Sequence, residues 1–158
     1  MPTPTSVQIS DGTNNQPVVP TTVDFSFTAA SSAGTTALSP AVNLGYYTSA
    51  QFYTVLQGVT GGTLDVYLQY SPDSGTTWVD LAHWPQLAAA ASPVTRTWPF
   101  MKEANAATPV TVGTGTSPAL AANTQVPGDW GDRIRVLYVT GSGTSLGSAQ
   151  VIKAVFSR

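Results

Sequence analysis

Cysteine is absent from this chain of 158 residues, which excludes disulfides, thiolate metal sites and a cysteine nucleophile. Charge is scarce as well: Asp, Glu, Lys and Arg together make up 9% of the residues, against roughly 25% in an average soluble domain. A surface with so few charges has to be finished with Thr, Ser, Asn, Gln and Gly, or be covered by a partner. The basic residues are Arg96, Lys102, Arg133, Arg135, Lys153 and Arg158, scattered through the second half, and the formal net charge is −2. There is no broad positive field to hold a polyanion, so nucleic acid is not an expected ligand. Histidine occurs once, as His83, without the His or Cys partners a zinc site requires. No apolar run approaches the roughly 20 residues of a membrane span, so no membrane partner is expected. The opening MPTPTSVQIS has neither the charged nor the apolar region of a secretory signal.

What is present is a succession of strand signals. Residues 1–20 are polar and rich in proline (Pro2, Pro4, Pro17, Pro20), the composition of an extended or flexible arm. Val23, Phe25 and Phe27 then alternate with polar residues at the period of a half-buried strand. SSAGTT reads as a linker. Ala41 to Leu44 and Ala50 to Val59 read as two strands with a turn near Gly45, and Gly61-Gly62 marks a reversal. In LDVYLQY, residues Leu64, Val66, Leu68 and Tyr70 face one way, and Asp65, Tyr67 and Gln69 the other. WVDLAHW resumes that pattern after SPDSGTT, so the two segments form a hairpin, with Trp78, Leu81 and Trp84 in the core. After Pro85 the chain is interrupted at Pro93, Pro99, Pro109, Pro118 and Pro127, and the section from Pro85 to Pro127 reads as long loops with one or two strands. RIRVLYV and AQVIKAVF read as a second hairpin around GSGTSLG, with Ile134, Val136, Tyr138, Ile152, Ala154 and Phe156 inward. The expected fold is all-β: an antiparallel β-sandwich over residues 21–158, jelly-roll topology being one option, preceded by the arm.

Two short motifs invite a catalytic reading. SPDSGTTW, residues 71–78, matches the S-x-D-x-G-x-T-W pattern found at hairpin turns of sialidases and many other β-proteins. Its chemistry is that of a turn. Ser71 opens the turn, Asp73 can accept hydrogen bonds from backbone N–H groups two residues on, Gly75 supplies a left-handed conformation, and Trp78 packs beneath the loop. A sialidase would need several copies around a propeller, an arginine cluster and a Tyr/Glu pair, none of which is legible here. GTSLG, residues 143–147, fits the G-x-S-x-G elbow. That elbow needs a helix after the serine, then an acid and a histidine later in the chain, whereas a strand pattern follows and no Asp or Glu lies beyond Asp132. His83 reads as a half-exposed strand histidine. Asp73 with Asp80, or Asp129 with Asp132, could offer oxygens to Ca²⁺, but without regular ligand spacing. No enzyme activity, catalytic residue, metal or cofactor is expected.

Two long stretches carry a family resemblance. AVNLGYYTSAQFYTVLQGVTGGTLDVYLQYSPDSGTTWVDLAHWPQ, followed by DWGDRIRVLYVTGSGTSLGSAQVIKAVFSR, resembles small β-rich virion proteins of tailed bacteriophages, in which an L-D-V-x-L-Q-x strand, an S-P-D-x-G-T-T-W turn and a late R-x-R-x-x-Y-x-V-T-G segment recur in this order. The resemblance covers Ala41 to Gln86 and Asp129 to Arg158, roughly half the chain. It implies a capsid decoration, or cement, protein on the outer capsid surface, assembled in the bacterial host cytoplasm. The implied partners are the major capsid protein and further copies of the chain, as a trimer. Two other roles stay open: a tail, neck or connector component, and a carbohydrate-binding receptor-recognition module. The arm could drape over a neighbouring subunit, and Tyr46, Tyr47, Trp98, Phe100 and Trp130, in or near loops, are candidate contact residues.

Overall fold

The computed structural model describes residues 21–27, 34–38, 47–57, 59–88, 93–101, 113–126, 131, 133–145 and 150–157. The N-terminal arm, Tyr46, Trp130, Asp129 and Asp132 lie outside them. Among the described residues there is no helix, and so none long and apolar enough to cross a membrane.

The strands are β1 (Thr21–Asp24), β2 (Gly34–Leu38), β3 (Ser49–Leu56), β4 (Thr63–Ser71), β5 (Val79–His83), β6 (Leu87–Ala88), β7 (Val94–Met101), β8 (Thr124–Gln125), β9 (Arg133–Thr140) and β10 (Val151–Ser157). They form two antiparallel sheets packed face to face, a β-sandwich. The smaller sheet has the order β1-β10-β3-β7; the larger has the order β2-β9-β4-β5-β8, with β6 paired to the far end of β4. Alternation places the apolar positions between the sheets. Val23, Phe25 and Phe27 continue one buried row, because the Phe25 and Phe27 N–H groups donate to the carbonyls of Ile152 and Gln150 at 2.7 and 2.9 Å. Facing them across the interior are Leu64, Val66, Leu68, Ile134, Val136 and Tyr138, with Phe52, Leu81, Trp84, Ile152, Ala154 and Phe156 completing the core. The rings interlock in specific ways: Phe27 stacks on Tyr138 with centroids 4.2 Å apart, and Phe52 meets Phe156 edge-on at 6.0 Å. Such aromatic pairs add to the apolar area they remove from water.

The structure bears out the hairpin of β4 and β5, with a register shift between Leu68 and Gln69. It overturns the second one. β9 pairs with β2 and β4 in the larger sheet, while β10 pairs with β1 and β3 in the smaller one. The two strands therefore lie in different sheets, and Ser145, after β9, is bridged to Thr60. The inward faces of both strands agree with their alternation, because a period of two is local; their partners are not local.

Two smaller corrections follow the same logic. Gly34, Thr35 and Thr36, expected as linker, lie in β2, opposite Thr140, Val139 and Tyr138 of β9. The described residues of the section from Pro85 to Pro127 include three strands, of which β7 tolerates Pro99 because it lies at a sheet edge.

Candidate functional site

The SPDSGTTW turn is a closed hydrogen-bond unit. Ser71 Oγ accepts the N–H groups of Asp73 (3.3 Å) and Gly75 (2.8 Å) and donates to Asp73 Oδ1 (3.0 Å). Asp73 Oδ1 also accepts the Thr77 N–H at 2.6 Å, so its reach is four residues rather than the two expected from the pattern. Those bonds hold the Asp73 carboxyl below its ordinary range, the Thr77 N–H contributing most. Gly75 sits at φ 97°, left-handed as the motif requires, and its carbonyl accepts the Trp78 indole N–H at 2.9 Å. Gly131, the next glycine to touch this turn, has φ 64°, and a Cβ there would run into the Ser71 carbonyl. Ser71, Asp73, Gly75 and Trp78 are thus brought together, and each is occupied in building the turn.

Beyond the turn, the outer face of the larger sheet carries a polar chain that the sequence reading missed. Trp78 lies under the Arg135 guanidinium, whose carbon is 4.3 Å from the ring centroid, a cation–π stack. Arg135 Nε donates to Gln69 Oε1 at 2.8 Å, and Gln69 Nε2 donates to Asp80 Oδ1 at 2.8 Å. Asp80 Oδ2 accepts the backbone N–H groups of Gly113, Ala119 and Leu120 at 2.9, 2.9 and 3.1 Å. Arg135 Nη2 meanwhile donates to the Gly115 carbonyl at 2.7 Å. The segment 113–126 is thereby laced onto the sheet and buries the groups that lace it: Gln69 and Asp80 are fully buried. Burial pushes the Arg135 guanidinium down from its ordinary value, and the Asp80 charge opposes that shift. Asp80, considered above as a cation ligand beside Asp73, instead has its carboxylate enclosed by N–H donors.

His83 belongs to the same cluster. Expected as half exposed, it is buried, stacked on Tyr67 with centroids 3.9 Å apart. Its Nδ1 lies 2.7 Å from the Leu120 carbonyl, and its Nε2 lies 3.1 Å from Asp65 Oδ1. Asp65 also accepts two bonds from the Gln86 amide, at 3.0 and 2.8 Å. Burial first, then the charges of Asp65 and Asp80, push the Tyr67 phenol up to about 12.

The alternation in LDVYLQY and RIRVLYV puts Asp65, Tyr67, Gln69 and Arg135 on the outer face, where they are found. A row of polar and aromatic residues on neighbouring outer positions was the available signal. Strand patterning has no term for the loop that covers them.

Of the candidate contact aromatics, Tyr47 is partly buried against the core, 5.9 Å from the Phe156 ring, and Trp98 stacks on Trp84 at 5.2 Å. Phe100 lies in β7 opposite Ala50, its side chain outside those described. Among the described residues the exposed large apolar side chains are elsewhere, Tyr53 (46% exposed) and Val155 (41%) on the outer face of the smaller sheet. There Thr22, Val155, Gln51 and Pro99 stand in one cross-strand row, and Asp24, Lys153, Tyr53 and Thr97 in the next. All eight are exposed, and the Asp24–Lys153 pair, 3.7 Å apart, leaves these rows without net charge.

No protein-family model matches this chain, and no curated protein or solved structure matches it.

Proposed function

We propose that this protein is a non-catalytic structural component of a tailed-bacteriophage virion, a decoration protein that binds the outer shell and ties major capsid protein subunits together as a homotrimer. The observation that carries the reading furthest is the outer face of the smaller sheet. Its two exposed rows combine Thr, Gln, Pro, Val and Tyr with a single ion pair. A face of that kind costs little to desolvate and offers both apolar contact and neutral hydrogen bonding to a large, wet interface.

The interior supports the same role. Asp80, Gln69 and Arg135 spend their hydrogen bonds on holding a loop to the sheet, which suits a rigid module that must survive on a particle surface. An oligomer that grips several subunits is held multivalently. Because it binds the assembled shell and not its dissociated subunits, it stabilises that shell by mass action.

The test is the copy number in purified particles, measured by quantitative mass spectrometry against the major capsid protein. A number near stoichiometric with the shell supports decoration. A few copies, or a dozen, assign the protein to the tail or neck. Absence from particles refutes the virion reading and makes glycan binding the next measurement.

A further inference from the structure

We propose that His83 is a proton-operated latch on segment 113–126 at Leu120, adding a bond to the loop there when the imidazole is doubly protonated and giving it up, so that the loop loosens around Leu120, when one proton leaves. The argument rests on the two oxygens that flank the ring. The Leu120 carbonyl, 2.7 Å from Nδ1, can only accept, and so can the ionised Asp65 carboxylate, 3.1 Å from Nε2. An imidazolium has two N–H donors and satisfies both; a neutral imidazole has one.

The charge-assisted bond is the stronger of the two. When a proton is lost, the remaining N–H therefore stays on Nε2 facing Asp65, and the bare Nδ1 is left against the Leu120 carbonyl. Two acceptors at that separation repel, and the loop end moves away. The surroundings do not supply a substitute. From β4 the ring faces Asp65 and the Tyr67 phenol, and from its own strand Asp80 lies three residues back. Arg135 on β9 is committed to Gln69 and Gly115. Segment 113–126 contains no ionisable side chain, and the Gln86 amide donates to Asp65 rather than to the loop.

Imidazole changes charge between about pH 5 and 8, whereas carboxylates and guanidinium ordinarily titrate outside that range. Leu120 is the point where this matters, since its N–H is held by Asp80 and its carbonyl by His83.

The experiment is NMR on the intact chain, in which the single histidine makes the ring signals unambiguous. Ring ¹⁵N shifts are followed from about pH 5 to 8, together with amide exchange of Gly113, Ala119 and Leu120, corrected for intrinsic rates. The Val126 N–H, bonded to the Leu81 carbonyl, serves as a reference within β8's neighbourhood. The expected result is a doubly protonated ring at the acid end that becomes the Nε2–H form at the alkaline end. The three loop amides should lose protection by about tenfold as it does so, the size of one lost hydrogen bond, with Val126 changing less. His83→Gln, which donates to the carbonyl without titrating, should abolish the pH dependence. An Nδ1–H form at the alkaline end, loop protection that stays flat across the titration, or an unchanged pH dependence in His83→Gln would each overturn the proposal. The ring titration is read on the wild-type chain, so it decides even if the variant folds poorly.

Discussion

The polarity of the buried chain from Arg135 through Gln69 to Asp80 makes a sharp stability prediction. Arg135 can only donate, so Gln69 must present its oxygen to Arg135 and its NH₂ to Asp80, and Asp80 must accept throughout. In Asp80→Asn the new side-chain oxygen can still receive the three loop N–H groups, but its NH₂ then meets the Gln69 NH₂. Gln69 cannot turn over without setting a second pair of donors against each other at Arg135. One buried donor–donor mismatch with a lost charge costs about 2 kcal/mol. Asp80→Ala strands three backbone N–H groups and the Gln69 amide; at about 1 kcal/mol or more each, the cost is about 4 kcal/mol, limited by release of the loop into water. Against a total stability of roughly 5–15 kcal/mol, that is a large fraction. Adding Gln69→Glu to Asp80→Asn reverses the polarity at constant charge. The carboxylate introduced at position 69 then accepts both from Arg135 and from the amide introduced at position 80. The double variant should recover at least half of the loss. Urea unfolding checks this, with a shift of about 1 M in midpoint for the single Asn variant, and the cycle isolates the coupling. An Asn variant within about 0.5 kcal/mol of wild type, or a double variant worse than the single one, would refute the reasoning.

Other perturbations test separate features. Tyr67 ionises at about 12 in the folded chain, against about 10 when unfolded; the unfolded state therefore sheds its proton first, and stability falls as pH rises from about 10 to 12. Tyr67→Phe should flatten that limb in alkaline denaturation curves. Gly75→Ala meets only ordinary contacts around its Cβ but must hold φ 97°, so calorimetry should show a loss of about 1–2 kcal/mol from backbone strain alone. Tyr53→Asp with Val155→Asp places charge on the outer face of the smaller sheet, and should leave the thermal midpoint within a few degrees of wild type while weakening shell binding at least tenfold in particle co-sedimentation. Unchanged shell binding would remove that face from the interface.

How much of this was legible differs from residue to residue. Leu64, Val66 and Leu68, like Ile152, Ala154 and Phe156, could be assigned to the core from alternation, because a strand's two faces follow from backbone geometry wherever the strand lies. Ser71, Asp73, Gly75 and Trp78 could be assigned to a turn because their bonds close within eight residues. The β9–β10 pairing could not be read correctly. A Gly-rich loop between two alternating segments is compatible with a hairpin or with a crossing between sheets, and only competition among distant strands selects one.

The polar cluster shows the same division. Patterning alone puts Asp65, Tyr67, Gln69 and Arg135 on the side of the sheet away from the core, and on an uncovered sheet those positions would be solvated. Their burial, the enclosure of Asp80 and the placing of His83 between two oxygens come from segment 113–126 folding back over β4, β5 and β9. Strand faces, the hairpin turn and the low charge of the surface depend on neighbours along the chain, and the order of residues was enough to specify them. Which strands pair, which polar groups leave water and what partners they meet there needed the folded chain, because those energies arise between residues that come together only when it folds.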